Sequence, residues 1–129
     1  MLEIVSKKIK SAHSTAAFGN KSELAVAHWL QTEGFKLIAT NYRQRYGEID
    51  LIVSKGELLA FVEVKARQTL HFDLSIVVTP TKQRRIAKAA AHFIAHNNSS
   101  GNHVIRFDVA LVCGEDITYI PNAFVPQCE

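Results

Sequence analysis

The chain has 129 residues, of which 47% are hydrophobic and 21% charged, with a formal net charge of +3. These values are typical of a single soluble globular domain. No apolar run is long enough to cross a membrane, and the two cysteines form neither a disulfide framework nor a zinc-binding pattern. The first residues are basic but lack the apolar segment of a signal peptide. We therefore expect a cytoplasmic protein with no membrane partner.

Positive charge is unevenly distributed along the chain. Residues 1–46 carry seven Lys and Arg residues against three Glu. Residues 76–107 contain no Asp or Glu, and their charged residues are Lys82, Arg84, Arg85, Lys88 and Arg106. A segregated basic surface suits a polyanion such as nucleic acid. The alternative is a basic helix face that only contacts solvent.

The first half of the chain predicts one helix followed by three strands. Residues 1–18 show no reliable periodicity, so we expect a loose or weakly helical basic arm there. Apolar spacing predicts a helix over Ser22–Glu33, which Gly34 would end. Apolar and β-branched runs then predict strands at Phe35–Arg43, Glu48–Ser54 and Leu58–Lys65.

The second half predicts a helix and two further strands. Thr79 followed by Pro80 is a typical helix start, and that helix should continue to about Asn97. Strands follow at His103–Cys113 and Ile117–Ile120, and residues 121–129 form an irregular tail. This order predicts an α/β fold in which helices cover a sheet, with one domain over residues 19–120.

Charged residues end the third predicted strand, which begins as a fully apolar run. Glu63 and Lys65 share one face of that strand, and Asp50 can lie beside Glu63 if the second and third strands pair as a hairpin. Two adjacent carboxylates raise each other's pKa unless a cation lies between them. Mg²⁺, which one or two carboxylates and several waters can bind, would resolve this repulsion, and Lys65 could orient or deprotonate a water. The alternative is a structural salt-bridge cluster.

Two helix starts supply further candidates. Glu23 lies on the same helix face as Leu30, so it is predicted to point toward the sheet, although acids also favour helix N-termini through the dipole. Lys82 and Gln83 lie in the first turn of the second helix. From there they could reach a phosphate, or extend into solvent.

Several other residues favour structural roles. Trp29 is predicted to belong to the core, and Asp108 to pair with Arg106 or with a basic residue of the second helix. Tyr42 and Tyr46 lie next to basic residues and could stack on a base, but strand packing is the simpler interpretation.

Six short motifs together resemble the YraN family of small bacterial proteins. In chain order they are Gly19-x-x-x-Glu23, Asn41-Tyr42-Arg43, Gly47–Ile52, Phe61–Arg67, Thr79-Pro80-x-Lys82-Gln83-x-Arg85 and Arg106–Val109. The resemblance covers residues 19–112. That family is grouped with restriction-endonuclease-like nucleases, which share a D…(D/E)-x-K core. The resemblance implies an αβββαβ core with a central mixed sheet flanked by helices.

The same resemblance implies roles for individual residues. Asp50 and Glu63 match the metal-binding acids of the family, and Lys65 matches its catalytic lysine. Glu23 matches the helix acid that completes such a site, as a further catalytic and metal-binding residue. Gln83 is similar to a helix glutamine of resolvase-like nucleases.

These observations predict a nuclease that uses Mg²⁺ or Mn²⁺ and acts on nucleic acid, DNA being favoured over RNA. Single-stranded, duplex and branched substrates are all open at this point, and a homodimer would let the enzyme cut two strands. The residues expected to contact nucleic acid are Arg43, Arg67, Lys82, Gln83, Arg84 and Arg85. Two alternatives are a non-catalytic nucleic-acid-binding module of the same fold and a protein–protein adaptor.

Overall fold

The computed structural model describes residues 4–8, 20–68, 73, 77–97 and 104–126. They form one mixed sheet with a helix on each face, which confirms the predicted fold class. The elements are β1 Val5–Lys8, α1 Lys21–Thr32, β2 Lys36–Gln44, β3 Gly47–Lys55, β4 Leu58–Ala66, α2 Pro80–His96, β5 Val104–Cys113 and β6 Asp116–Ile120.

The six strands lie in the order β1-β6-β5-β4-β3-β2. Only β4 and β5 run parallel, since α2 connects them, and every other neighbouring pair is antiparallel. Strands β4 and β5 are therefore central, and both are apolar on their two faces. Burial on both faces is what makes the charged end of β4 unusual.

The two helices begin at well-formed caps. The Asn20 side chain accepts a hydrogen bond of 2.9 Å from the backbone N–H of Glu23 at the start of α1. At the start of α2, Thr79 does the same for the N–H of Lys82 at 3.2 Å, and Pro80 follows as predicted. Both caps orient the first helical turn, which is where the candidate site residues lie.

Each helix covers its own apolar core. On one side of the sheet α1 packs Val26 and Leu30 against Leu51 and Val62. On the other side α2 packs its apolar stripe against the sheet, with Phe93 at a ring-centroid distance of 6.1 Å from Phe61. Both cores contain fully buried side chains, so the sheet separates two continuous hydrophobic layers. None of the helices in the part of the chain that the structure describes is long and apolar enough to span a membrane.

The alternation of side chains along β3 breaks beside the candidate site. Strict alternation predicts that Ile49 faces the same way as Leu51, but Ile49 belongs to the α2-side core, whereas Leu51 belongs to the α1-side core. The physical reason is that pairing between β3 and β4 ends at Leu51 and Val62. Beyond that point β3 pairs only with β2, so β3 and β4 separate toward the site.

The N-terminal arm differs from its prediction as a loose or weakly helical segment. Val5–Lys8 forms a strand that pairs antiparallel with β6, opposite Asp116–Tyr119. Four residues carry too little periodicity to reveal a strand, and here pairing with the backbone of β6 supplies the stability. The rest of the predicted arm, residues 1–18, lies outside the described residues except Ile4. Residues 121–126 form no helix or strand.

Candidate active site

The candidate site lies in an open cleft of about 1110 Å³ where β3 and β4 separate beneath the first turns of α2. Glu23, Asp50, Glu63 and Lys65, the predicted catalytic residues, all line this cleft. The fold therefore brings together residues from α1, β3 and β4 that lie as far as 42 positions apart in the chain. A helix N-terminus and two strand ends meet here because the sheet splays at this edge.

Asp50 lies on the floor of the cleft and is 7% exposed. Its Oδ2 accepts a hydrogen bond of 2.8 Å from the backbone N–H of Val64, at a place where β3 no longer pairs with β4. Burial, followed by contact with the Glu63 carboxyl group and its charge, raises the pKa of Asp50 to about 7, although the Val64 N–H and Lys82 oppose the rise. The positive charge near Asp50 is therefore too small to offset its burial and the neighbouring Glu63 carboxyl group.

Glu63 is 6% exposed, and its Oε2 lies 2.6 Å from the ammonium nitrogen of Lys82. The contact is an ion pair without hydrogen-bond geometry, and this oxygen has no hydrogen bond within the described residues. A buried carboxylate oxygen without a hydrogen bond is uncommon, and here the charge of the Lys82 ammonium at 2.6 Å offsets its desolvation. Glu63 thus presents an oxygen that a positively charged ligand could take.

Lys65 and Lys82, the two lysines beside the buried acids, differ in the direction of their pKa shifts. Contact with Lys82, and then burial, lower the pKa of Lys65. Burial alone would lower the pKa of Lys82 as well, but its contacts with Glu63 and Lys65, together with the charges of Glu63 and Asp50, raise it above the usual value. Lys82 therefore keeps its proton, whereas Lys65 is the amine that loses its proton more readily.

Glu23 lies at the edge of the same cleft and is 5% exposed. Its Oε1 accepts a hydrogen bond of 3.1 Å from the Asn41 amide, and its Oε2 one of 3.4 Å from the Asn20 amide. Asn41 has a φ of 48°, a left-handed conformation that asparagine tolerates better than most residues. The two amides orient the carboxylate that the helical spacing predicted to face the sheet.

The donor set at the floor of the cleft can hold a divalent cation through two carboxylates. In the segments that the structure describes, no three Asp, Glu, His or Cys side chains converge on one metal position, so Glu23 does not join the other two acids as a third ligand. Asp50 and Glu63 remain as a pair, with a raised pKa on one and an oxygen without a hydrogen bond on the other. Two carboxylates at the floor of an open cleft match the preference of Mg²⁺ and Mn²⁺ for oxygen ligands.

Basic side chains form the walls of the cleft. Four of the residues predicted to contact nucleic acid line it, namely Arg43, Lys82, Arg84 and Arg85. Arg43 also forms an exposed ion pair with Glu48 at 3.3 Å, so its charge is partly offset. The walls thus carry positive charge above a floor of buried acids.

The other two predicted contact residues lie elsewhere. The Gln83 amide donates a hydrogen bond of 3.1 Å to the Val78 carbonyl, and the Arg67 guanidinium donates one of 2.9 Å to the Ala66 carbonyl. Neither residue lines the cleft. Their placement gives no structural support to the prediction that they contact nucleic acid.

Among the cleft residues that sequence reasoning did not assign to the site are Arg45, Tyr46 and Lys88. Lys88 follows Arg84 and Arg85 by four and three positions, which is the spacing of one helix face and could have identified it. Arg45 and Tyr46 lie in the turn between β2 and β3, and only the docking of that turn against α2 brings them to the cleft.

Three residues outside the cleft have the structural roles predicted for them. Trp29 is buried and lies 5.2 Å from the ring centroid of Tyr119. Asp108 is fully buried and receives both Arg106 hydrogen bonds, at 2.8 and 2.9 Å, which confirms their pairing. The Tyr119 hydroxyl and the N–H of Asn122, at 2.8 Å, complete the contacts of Asp108. This fully paired carboxylate contrasts with Glu63.

The fold and site define the class of protein: a mixed α/β domain in which two buried carboxylates and two lysines share a basic cleft. Residues 22–112 match the model of "Uncharacterised protein family UPF0102". The chain therefore belongs to the UPF0102 family, which is the YraN family, and the resemblance carried by the six motifs is confirmed.

Several curated relatives match most of the chain. A UPF0102 protein of Klebsiella pneumoniae subsp. pneumoniae is 37% identical over 126 residues, which cover 96% of this chain and 98% of the relative. One from Alkaliphilus metalliredigens is 40% identical over 112 residues, covering 84% and 97%. One from Treponema pallidum is 39% identical over 116 residues, covering 84% and 90%. These names assign the family and no activity.

Proposed function

We propose that this protein is a metal-dependent nuclease that hydrolyses phosphodiester bonds, with DNA as the preferred substrate and the cytoplasm as its location. The observation that carries the proposal is the pair of buried acids at the cleft floor, Asp50 with its raised pKa and Glu63 with an oxygen lacking a hydrogen bond. The ion pair of Glu63 with Lys82 leaves the pKa of Asp50 raised, whereas Asp108, a structural carboxylate, receives hydrogen bonds from Arg106 on both oxygens.

Asp50 and Glu63 are the residues that would hold Mg²⁺ or Mn²⁺. When bound, such an ion supplies Lewis-acid charge to a phosphoryl oxygen and lowers the pKa of its bound water. The Lys82 ammonium lies against Glu63 Oε2 and would share the supply of positive charge with the ion. Glu23, held by two asparagine amides, is placed to accept a hydrogen bond from a water at the edge of the cleft.

The lysines divide the remaining work. Lys65, whose pKa is lowered, orients the attacking water and can accept its proton. Lys82 stays protonated, so it can offset the negative charge that builds on the phosphoryl oxygens during in-line attack. Arg84 and Arg85 bind the backbone phosphates on either side. Cutting both strands of a duplex would need a second copy of the site, for which a homodimer is the simplest arrangement.

A cleavage assay tests this proposal. Labelled single-stranded, duplex, flapped and four-way-junction DNA, with matching RNA, would be incubated with Mg²⁺, Mn²⁺ or EDTA. We expect metal-dependent cutting that Lys65→Ala abolishes while folding and binding are retained. Lys55→Ala is the matched control, because Lys55 is exposed at the far end of β3 and does not line the cleft.

Three outcomes distinguish the candidate functions. Cleavage that Lys65→Ala and Asp50→Ala both abolish establishes the nuclease. Salt-sensitive binding without cleavage, unchanged in Lys65→Ala, favours a non-catalytic nucleic-acid-binding module. No salt-dependent binding to any nucleic acid overturns both functions and leaves the protein–protein adaptor.

A further inference from the structure

Tyr46 exposes an aromatic ring on the wall of the cleft. The residue is 53% exposed, and it lines the same cleft as Asp50 and Glu63. Two cations lie over the ring, the Arg45 guanidinium carbon at 5.5 Å from the centroid and the Lys88 ammonium at 5.3 Å. A large ring left open to solvent between two positive charges has the chemistry of a site that binds a flat, electron-rich group with phosphates attached.

The position of Tyr46 is fixed by the residue that follows it. A Cβ atom at Gly47 would lie 2.7 Å from the Arg85 carbonyl oxygen and 3.0 Å from its carbonyl carbon. The turn between β2 and β3 therefore rests directly on the backbone of α2, at a contact that only glycine permits. Because this contact anchors the turn, the backbone of Tyr46 is held in place before any ligand binds, which lowers the entropy lost on binding.

Tyr42, four residues earlier, shows what a structural tyrosine looks like in this protein. Its hydroxyl lies 2.5 Å from His92 Nδ1, and its ring meets Phe93 edge-on at a centroid distance of 5.3 Å. Within the described segments, Tyr46 has no such aromatic packing partner, and its ring contacts are the two cations. Core packing therefore explains Tyr42 and does not explain Tyr46.

We propose that Tyr46 is a stacking platform for an unpaired nucleobase, and that Arg45 and Lys88 bind the phosphates on either side of that base. This inference rests on the proposed nuclease function and deepens it by naming the substrate class: a single strand, or a junction or flap with an unpaired base in the cleft. A duplex does not offer a base face without flipping, which costs a few kcal/mol.

A stacked base would take the place of the two cations that lie over the Tyr46 ring. A stacked base lies in van der Waals contact, about 3.5–4.0 Å from the ring, which is closer than either cation at 5.3 and 5.5 Å. An exposed cation–π contact contributes about 0.5–1 kcal/mol, whereas stacking of a base contributes about 1–3 kcal/mol. A base can therefore displace the flexible cations from the ring, and both side chains can then turn to phosphates.

Fluorescence anisotropy in EDTA, where the substrate stays intact, tests the inference with a labelled oligothymidylate of about 16 nucleotides and a blunt-ended duplex of two complementary strands. Tyr46→Ala should weaken single-strand binding by about 5- to 150-fold. Binding of the duplex should change by less than about twofold. Tyr46→Phe keeps the ring and should bind like the wild type. Ile38→Ala, at an exposed apolar position outside the cleft, is the control.

A scan with one abasic site along the single strand adds a readout that only stacking would move. At the position that stacks, removing the base should weaken wild-type binding but leave Tyr46→Ala unchanged. Two results would overturn the inference while the nuclease proposal stands. One is that Tyr46→Ala loses the same affinity for single strand and duplex, and the other is that Tyr46→Phe binds no better than Tyr46→Ala. Absence of salt-sensitive binding to either probe would overturn the nuclease proposal and the inference together.

Discussion

Replacement of Asp50 by asparagine should stabilise the metal-free protein and abolish cleavage at the same time. Asparagine keeps an oxygen that can accept the 2.8 Å hydrogen bond from the Val64 N–H, but it cannot ionise. In the wild type the Asp50 carboxyl group must lose its proton beside Glu63 in a site that is 7% exposed. The variant avoids that ionisation and loses a metal ligand.

The size and sign of the effect follow from the pKa of Asp50, which rises from 3.8 to about 7 on folding. The folded state binds this proton more tightly than the unfolded state. Stability present below about pH 4 is therefore lost progressively as the pH rises to about 7, at about 1.4 kcal/mol per unit. Over that window the pKa difference corresponds to a loss of at most about 4 kcal/mol. Water in the open cleft reduces this loss.

Urea unfolding in EDTA at about pH 5 and about pH 8 measures this loss. We expect the free energy of unfolding of Asp50→Asn, relative to the wild type, to increase by up to about 3 kcal/mol between these two pH values. Taking the difference between the proteins removes the contributions of titrating groups that do not interact with Asp50. Glu57→Gln, which removes an exposed carboxylate in the turn between β3 and β4, controls for a general loss of negative charge.

Addition of Mg²⁺ at about pH 8 extends the same experiment. A ligand present at 100 times its dissociation constant stabilises a protein by about 2.7 kcal/mol, so the wild type should gain stability and Asp50→Asn should not. A relative stability that stays constant between the two pH values would refute the reasoning about Asp50 burial. Equal gains of both proteins in Mg²⁺ would refute its role in holding the ion.

Three further predictions concern the surroundings of the site. Lys82→Met removes the ion pair of Glu63, so we expect urea unfolding to show a loss of about 1–3 kcal/mol in the free energy of unfolding. Added Mg²⁺ should stabilise this variant by more than it stabilises the wild type. Asp108→Ala removes the buried partner of an arginine, which should lower stability by about 3–5 kcal/mol, while the cleavage rate per folded molecule, measured with active-site titration, stays unchanged. Gly47→Ala places a Cβ 2.7 Å from the Arg85 carbonyl oxygen. We therefore expect a lower Tm in calorimetry and weaker single-strand binding in anisotropy. Unchanged values would mean that the turn is not anchored there.

Local patterns in the chain were enough to predict most of the elements. The Thr79-Pro80 helix start appears as predicted, because a capping hydroxyl and a proline act within one turn. The acids and lysine of the site could also be named from the sequence, since a carboxylate and an ammonium at the end of an apolar strand stand out. The approach of Glu23 to the sheet followed from its place on the apolar helix stripe.

Tertiary contacts decided the features that local patterns missed. The strand Val5–Lys8 exists through its pairing with β6. The break of alternation at Ile49 arises where β3 leaves β4. Gln83 in α2 and Arg67 just after β4 share the charge or polarity of their neighbours, but their side chains donate to backbone carbonyls instead of lining the cleft. These outcomes depend on how the strand ends are arranged in the folded sheet, which residue types alone do not specify.

The difference between Lys65 and Lys82 shows most clearly what each level determined. The sequence by itself determined that two lysines, two acids and a helix start would be available for a charged site, because these are properties of residue type and short-range spacing. Only the tertiary structure decided that Lys82 lies 2.6 Å from Glu63 and keeps its proton while the pKa of Lys65 falls. Protonation depends on burial and on distances between charges from different elements, and folding alone sets both.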